Sequence, residues 1–185
     1  MNISVFCGSS QPRDPLIAVA AQKLGRAIAQ GGHILLYGGS NLGLMGHVSS
    51  AALDAGGTVV AVIPTFFSEE VINSQKVSRI VRVDSMSQRK EYFIDNSDLF
   101  IALPGGIGTL DEVMEILVSN QLGHLRDSNH TEKPVLLYNH NGFYDPLLQF
   151  MTRMKEEGFL NPGKASKLMA LNTIEELLAN ESFGA

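Results

Sequence analysis

A chain of 185 residues that is 44% hydrophobic is long enough for one domain with a two-sided core and too short for two ordinary ones. Its 14 Lys and Arg against 19 Asp and Glu give a formal charge of −5, and no basic run exceeds Arg89-Lys90, which argues against a nucleic-acid partner. The first residues enter an apolar run with no basic leader, and no apolar stretch approaches the ~18 residues of a spanning helix. The single cysteine, Cys7, cannot form an internal disulfide and fits a reducing compartment. A soluble, cytoplasmic protein forming a single domain over residues 1–185, with no membrane partner, is expected.

Short runs rich in β-branched and apolar residues read as strands at Ile3-Phe6, Ile34-Tyr37, Thr58-Ile63, Arg79-Val83, Leu99-Leu103 and Val135-Tyr138. A short strand at Lys167-Leu171 and a last helix from about Thr173 to Asn180 follow. Longer amphipathic segments lie between the strands. Asp14-Pro15, Asp145-Pro146 and Asn161-Pro162 each place a capping side chain before a proline suited to the first helical position. Gly31-Gly32, Gly56-Gly57 and Gly158 fall where helices stop. Gly123-Lys133 reads as a polar loop. This alternation predicts an α/β fold with a mostly parallel sheet of about seven strands and helices on both faces.

In such folds ligands sit beyond the carboxyl ends of the strands, so the loops that follow strands hold the functional information. Four stand out: Cys7-Gly8-Ser9-Ser10, Gly38 to Gly46, Ser85 to Lys90, and Pro104-Gly105-Gly106-Ile107-Gly108-Thr109-Leu110-Asp111-Glu112. In the last, three glycines let backbone N–H groups approach an anion, and a helix expected to begin at Thr109 or Leu110 adds the positive end of its dipole. A phosphate suits that position. None of these loops matches the G-x-G-x-x-G or G-x-x-x-x-G-K-[ST] fingerprints, which argues against NAD and P-loop nucleotides.

Glu112 has two readings. It is an acid beside a phosphate site, or the second half of a capping box, Thr109-x-x-Glu112. Arg89 and Lys90 open a helix marked by another box, Ser85-x-x-Gln88, where cations oppose the helix dipole by roughly 0.3–1 kcal/mol each and an anion nearby offsets the cost. Lys90 also reads as a solvated side chain. Ser9 and Thr109 are phosphate donors or caps; Met45 and Met86 are packing residues or walls of an apolar base pocket. The five histidines, His33, His47, His124, His130 and His140, show no metal-ligand spacing, so no metal is expected. Cys7 reads as a buried strand-end residue.

Cys7-Gly8-Ser9-Ser10, Gly43-Leu44-Met45-Gly46, Met86-x-x-Arg89-Lys90 and Pro104-Gly105-Gly106-x-Gly108-Thr109-x-x-Glu112 together resemble the LOG (Lonely Guy) family of cytokinin riboside 5′-monophosphate phosphoribohydrolases. The resemblance extends to Gln121-Leu122-Gly123, Lys133-Pro134-Val135, the Gly142 to Leu148 segment and Glu157-Gly158-Phe159. It implies a Rossmann-like three-layer homodimer, without cofactor, that releases free base and ribose 5-phosphate from a nucleoside 5′-monophosphate. It also implies Arg89 and Glu112 as the catalytic pair. Gly8, Ser9, Gly43, Met45, Met86, Lys90, Gly105, Gly106, Gly108 and Thr109 would line the substrate. Members of the family were often labelled lysine decarboxylases, but nothing in this sequence identifies a pyridoxal-phosphate lysine.

The chain departs from the family at Ser40, where a third glycine is usual, at Ser87-Gln88 in place of a common His-Glu pair, and at Val118-Ser119 in place of Thr-Trp. These positions flank the base rather than the phosphate. Two rival activities use the same loops: a 2-deoxyribosyltransferase-like enzyme in which Glu112 attacks the sugar, and a nucleotide or molybdenum-cofactor carrier without turnover.

Overall fold

The computed structural model describes residues 1–67, 77–126, 131–160 and 167–184. Strand β1 (Asn2–Phe6) leads to α1 (Pro15–Gln30), β2 (Ile34–Tyr37), α2 (Gly43–Asp54), β3 (Thr58–Pro64), β4 (Arg79–Val83) and α3 (Met86–Asn96). Then come β5 (Leu99–Ala102), α4 (Ile107–Arg126), β6 (Val135–Tyr138), a 3-10 turn (His140–Gly142), α5 (Asp145–Glu156), β7 (Leu168–Leu171), α6 (Ile174–Leu178) and α7 (Glu181–Gly184). The seven strands form one sheet in the order β4-β3-β2-β1-β5-β6-β7, and every pairing is parallel. The strand order reverses at β1, with β2 on one side and β5 on the other.

A parallel sheet buried on both faces needs strands that are apolar at successive positions, and the alternation of side chains then deals them to two cores. Ile3 and Val5, Leu35 and Tyr37, Val59 and Ala61, and Leu99 and Ile101 face one core with α1, α2, α6 and α7. Phe6, Leu36, Val60, Val62, Phe100 and Ala102 face the other, where Phe93 of α3 and Val113, Ile116 and Leu117 of α4 cover them. The second core holds aromatic contacts that fix α3: Phe6 meets Phe93 edge to face with centroids 5.4 Å apart and stacks on Phe100 at 5.9 Å.

Asp14 caps α1 as expected, accepting the Leu16 N–H at 2.9 Å. Asp145 does not cap α5. That helix begins at Asp145 itself, whose carboxylate accepts from Asn139 Nδ2 at 2.8 Å. Asn139, buried just past β6, also donates to Asn172 Oδ1 at 3.2 Å and accepts the Tyr144 N–H at 2.7 Å. The start of α5 is thus held from outside the helix by one amide. Gly123 to Arg126 continue α4 rather than forming a loop, because the helical pattern runs on past Gly123. Residues 127–130 of the expected loop and the cap at Asn161-Pro162 lie outside the described residues. The last helix expected from about Thr173 to Asn180 is α6, opened by a Thr173–Glu176 capping box, and the short α7 follows beyond the expected span.

Replacing Asn139 by Leu would strip the buried Tyr144 N–H of its acceptor and take a donor from the exposed Asp145 carboxylate. Loss of roughly 1–3 kcal/mol is expected, read as a lowered urea midpoint with an unchanged slope; an unchanged midpoint would mean that these bonds contribute nothing.

Candidate active site

The loops singled out above meet at the carboxyl edge of β1, β2 and β5. The Gly8 N–H donates to Pro104 O at 3.2 Å, and the Leu44 N–H donates to Gly8 O at 3.0 Å. Gly43 opens α2 at a φ of 53° with its Cα against the Ser9 and Ser10 backbone. A side chain there would be strained and would also strike that backbone.

From α3, Arg89 reaches under this edge and is only 7% exposed, as is Glu112 on α4. Their side chains pair at 3.4 Å, Nη2 to Oε1. Arg89 Nη1 also points to Met86 Sδ at 3.8 Å, the guanidinium carbon lies 5.7 Å from the Phe93 ring centroid, and Nε is buried without a hydrogen-bond partner. The guanidinium fits because position 38 is glycine: a Cβ there would overlap Nη2. The sequence suggested that a cation in the first turns of α3 needs an anion from outside. In the folded chain that anion is Glu112 itself.

Two opposed effects act on Glu112. Burial penalises the ionised carboxylate and is the larger; Arg89 favours it. The balance lifts its pKa to about 7, where a carboxylate can both accept and return a proton near neutrality. Cys7 lies beneath, buried at the end of β1 as expected, and burial holds its thiol protonated.

Helix α4 starts at Ile107, earlier than the expected Thr109 or Leu110, with the Leu110 N–H bonded to Gly106 O at 3.2 Å. Gly106 therefore sits where the cap was expected at Thr109, and no Thr109–Glu112 capping box forms: both residues are inside the helix, and the Glu112 carboxylate turns to Arg89. The first-turn N–H groups of Ile107, Gly108 and Thr109 precede any intrahelical acceptor, and Gly106, Ile107 and Gly108 are exposed. Gly105 lies over Thr109, whose hydroxyl a Cβ at Gly105 would strike; Thr109 is buried beneath the loop.

Lys90 is neither free in solvent nor turned to the Arg89–Glu112 pair. Its ammonium bonds Asp111 at 3.0 Å and Glu115 at 2.7 Å, and these partners raise its pKa. Arg89–Glu112 and Lys90–Asp111/Glu115 thus form an inner and an outer rung between α3 and α4. Ser9 and Met45, with Leu42, Ile63 and Phe67, border a cavity of about 220 Å³ that Arg89 closes at one side. Met86 supports Arg89 from the rim. Gly38 belongs to the second of the loops named above, whereas Ile63 and Phe67 were not singled out in the sequence, although the adjacent aromatics Phe66-Phe67 after a strand were a visible signal. A wider open groove of about 600 Å³ runs between α1 and α2, past His47 and Arg26. His47 there bonds Gln22 and Gln11, and His140 bonds Asp14. Among the described residues no group of three or more His, Cys, Asp or Glu side chains could hold a metal ion, and no helix is long and apolar enough to cross a membrane.

A family model described as possible lysine decarboxylase matches residues 45–180. The cytokinin riboside 5′-monophosphate phosphoribohydrolase of Rhodococcoides fascians is 39% identical over 180 residues, covering 96% of this chain and 87% of that protein. The Arabidopsis thaliana enzyme of the same name, LOG3, is 40% identical over 95% of this chain and 79% of its own. Among solved structures, the molybdenum cofactor binding protein of Rippkaea orientalis aligns with a TM-score of 0.67 and 26% identity, over 96% of this chain and 92% of that one.

Two outcomes test the geometry. Gly38→Ala should push the guanidinium off Glu112 while the sheet survives, so that the Glu112 pKa, followed by carboxylate NMR, rises further; an unmoved pKa would show that the close approach is not needed. The second concerns pH and stability. Below its ordinary value of 4.5, Glu112 is protonated in folded and unfolded chains alike. From there up to about 7 the folded chain holds a proton that the unfolded chain releases, so this residue's contribution to stability falls as pH rises and is lost above that window. The melting temperature of Glu112→Gln relative to wild type should therefore climb between about pH 5 and about pH 8. A difference that stays flat would place the carboxylate in water.

Proposed function

This chain belongs to the LOG family of cytokinin riboside 5′-monophosphate phosphoribohydrolases, and on that premise we propose that it hydrolyses the N-glycosidic bond of a nucleoside 5′-monophosphate. The substrate is AMP or an N6-substituted adenosine monophosphate; the products are free base and ribose 5-phosphate. The observation that carries this reading is the buried Arg89–Glu112 pair beside an exposed glycine-rich helix start.

The 5′-phosphate sits on the N–H groups of Ile107, Gly108 and Thr109, with Gly8, Ser9, Gly105 and Gly106 close to it, where helix dipole and backbone donors act together. The sugar then lies over Glu112. As the bond between C1′ and the base nitrogen breaks, its electron pair leaves with the base and positive charge develops on the ribose. Ionised Glu112 stabilises that charge and takes a proton from the water that attacks C1′. Arg89 offsets part of the burial penalty on ionised Glu112, and its unpartnered Nε–H is available to an oxygen of the substrate. Met45 and Met86 face the base side. Lys90, engaged with Asp111 and Glu115, acts by holding the α4 carboxylate row in place rather than by gripping substrate.

Binding alone has no use for a buried carboxylate with its pKa near neutrality, so this pair favours turnover over the molybdenum-cofactor binding named for the Rippkaea orientalis protein. The transferase-like alternative differs in needing no 5′-phosphate. Cytoplasmic location and homodimer assembly are part of the same proposal. The half-exposed Val118 and Leu122 of α4, beside a groove that also takes in Ile94, supply an apolar face for a second copy, to be checked by light scattering.

Pure protein should release adenine from AMP and leave adenosine and ATP essentially intact, as followed by chromatography; equal turnover of adenosine would overturn the phosphate-dependent reading. Glu112→Gln should lower kcat by at least ~100-fold while AMP still binds. Arg89→Lys keeps a charge but loses the planar fork, and activity should stay strongly impaired. A variant at either position with near-normal rate would leave the pair a structural one.

A further inference from the structure

We infer that Phe67 is a specificity-determining residue, its ring forming the stacking wall for the base of the bound nucleotide; this rests on the hydrolase reading for the kind of ligand. The parts of the site follow the strand order along one edge of the sheet. The Pro104 to Thr109 loop leaves β5, Gly8 leaves β1, Gly38 leaves β2, and Phe67 lies three residues past the end of β3. A nucleotide with its phosphate on α4 and its sugar over Glu112 therefore carries its base toward β2 and β3. The 220 Å³ cavity lies there, with Arg89 at its sugar side.

The chemistry of that cavity suits a flat aromatic ring. Leu42, Met45 and Ile63 give it apolar walls, and Phe67 is the one aromatic side chain among the described residues that line it. Ile63 is packed against Gly39, where a Cβ would strike it, so this wall is fixed. The Phe67 ring is instead 42% exposed, a large apolar surface left open at a cavity mouth. Two bonds hold its backbone there: the Phe67 N–H to Pro64 O at 3.1 Å, and the Thr65 N–H to Val83 O at 2.8 Å. Phe66 backs it, with ring centroids 5.0 Å apart and planes inclined by 31°. A ring so held offers a base its face, and stacking of this kind is tolerant of which base arrives but requires a planar one.

The experiment is calorimetric titration of Glu112→Gln, which slows turnover, alone and combined with Phe67→Ala, Phe67→Leu or Phe67→Tyr, with AMP and, separately, with ribose 5-phosphate, which shares every group except the base. Phe67→Ala should weaken AMP at least about ten-fold and ribose 5-phosphate by less than about two-fold, with Phe67→Tyr restoring the AMP affinity. Phe67→Leu, which keeps an apolar wall without a π face, should fall between and serves as the test should the alanine variant fail to fold. AMP affinity unchanged in these variants, or both ligands weakened equally, overturns the inference. Adenine release is measured in parallel. Release by wild type with unaltered AMP binding in the variants keeps the hydrolase and discards the stacking wall. No release, with AMP binding still dependent on Phe67, does the reverse.

Discussion

A carboxylate and a guanidinium 3.4 Å apart, both all but excluded from water, are costly to bury and costlier to separate. Removing either partner leaves an uncompensated charge in the interior. Much of the surrounding structure can be read as accommodation of this pair. Gly38 gives up a side chain so that the guanidinium has room. Phe93 anchors α3 in the lower core and lies beside the guanidinium. Lys90, with its two acids, ties α3 to α4 one residue further out, where solvent reaches. The compensation is incomplete, since burial outweighs the Arg89 charge and Glu112 stays poised near neutrality. A better neutralised pair would hold the carboxylate ionised at neutral pH.

The architecture was legible because it rests on local signals. The β-branched runs from Ile3-Phe6 to Val135-Tyr138 were bounded by glycines and by Asp14-Pro15, and these are rules that act over a few residues. Where the reading failed, a distant group had taken over. Asp145 looked like a cap, but Asn139 from the previous strand end claims its carboxylate. Thr109 and Glu112 had the spacing of a capping box, yet Gly106 begins the helix and frees the acid for a partner more than twenty residues away. A glycine at that position carries no side-chain signature of a cap, so nothing local betrayed it.

The candidate site was legible in its glycine loops and its two charged residues, through their resemblance to a family and their order along the chain. Its pairing was not. That Arg89 answers Glu112 rather than an incoming anion depends on how α3 and α4 lie against the sheet, which no spacing rule encodes. Lys90 misled for the same reason, its acids being on another helix. Phe67 was missed because an aromatic after a strand reads as core until a cavity is seen beside it.

The strand order has a consequence for how this molecule comes into being. The first strand to be made is the central one: β1 has β2 available soon after synthesis, but its other neighbour pairs Ile3 with Leu99. Through the making of nearly a hundred residues, one edge of β1 has no hydrogen-bonding partner and Phe6 has no Phe100 to stack on. An unpaired apolar edge of that duration is where association with other nascent chains begins. Insertion of β5 closes that edge and, in the same event, brings the Pro104 loop to Gly8. The contact between these two loops is therefore absent from any fragment that ends before β5.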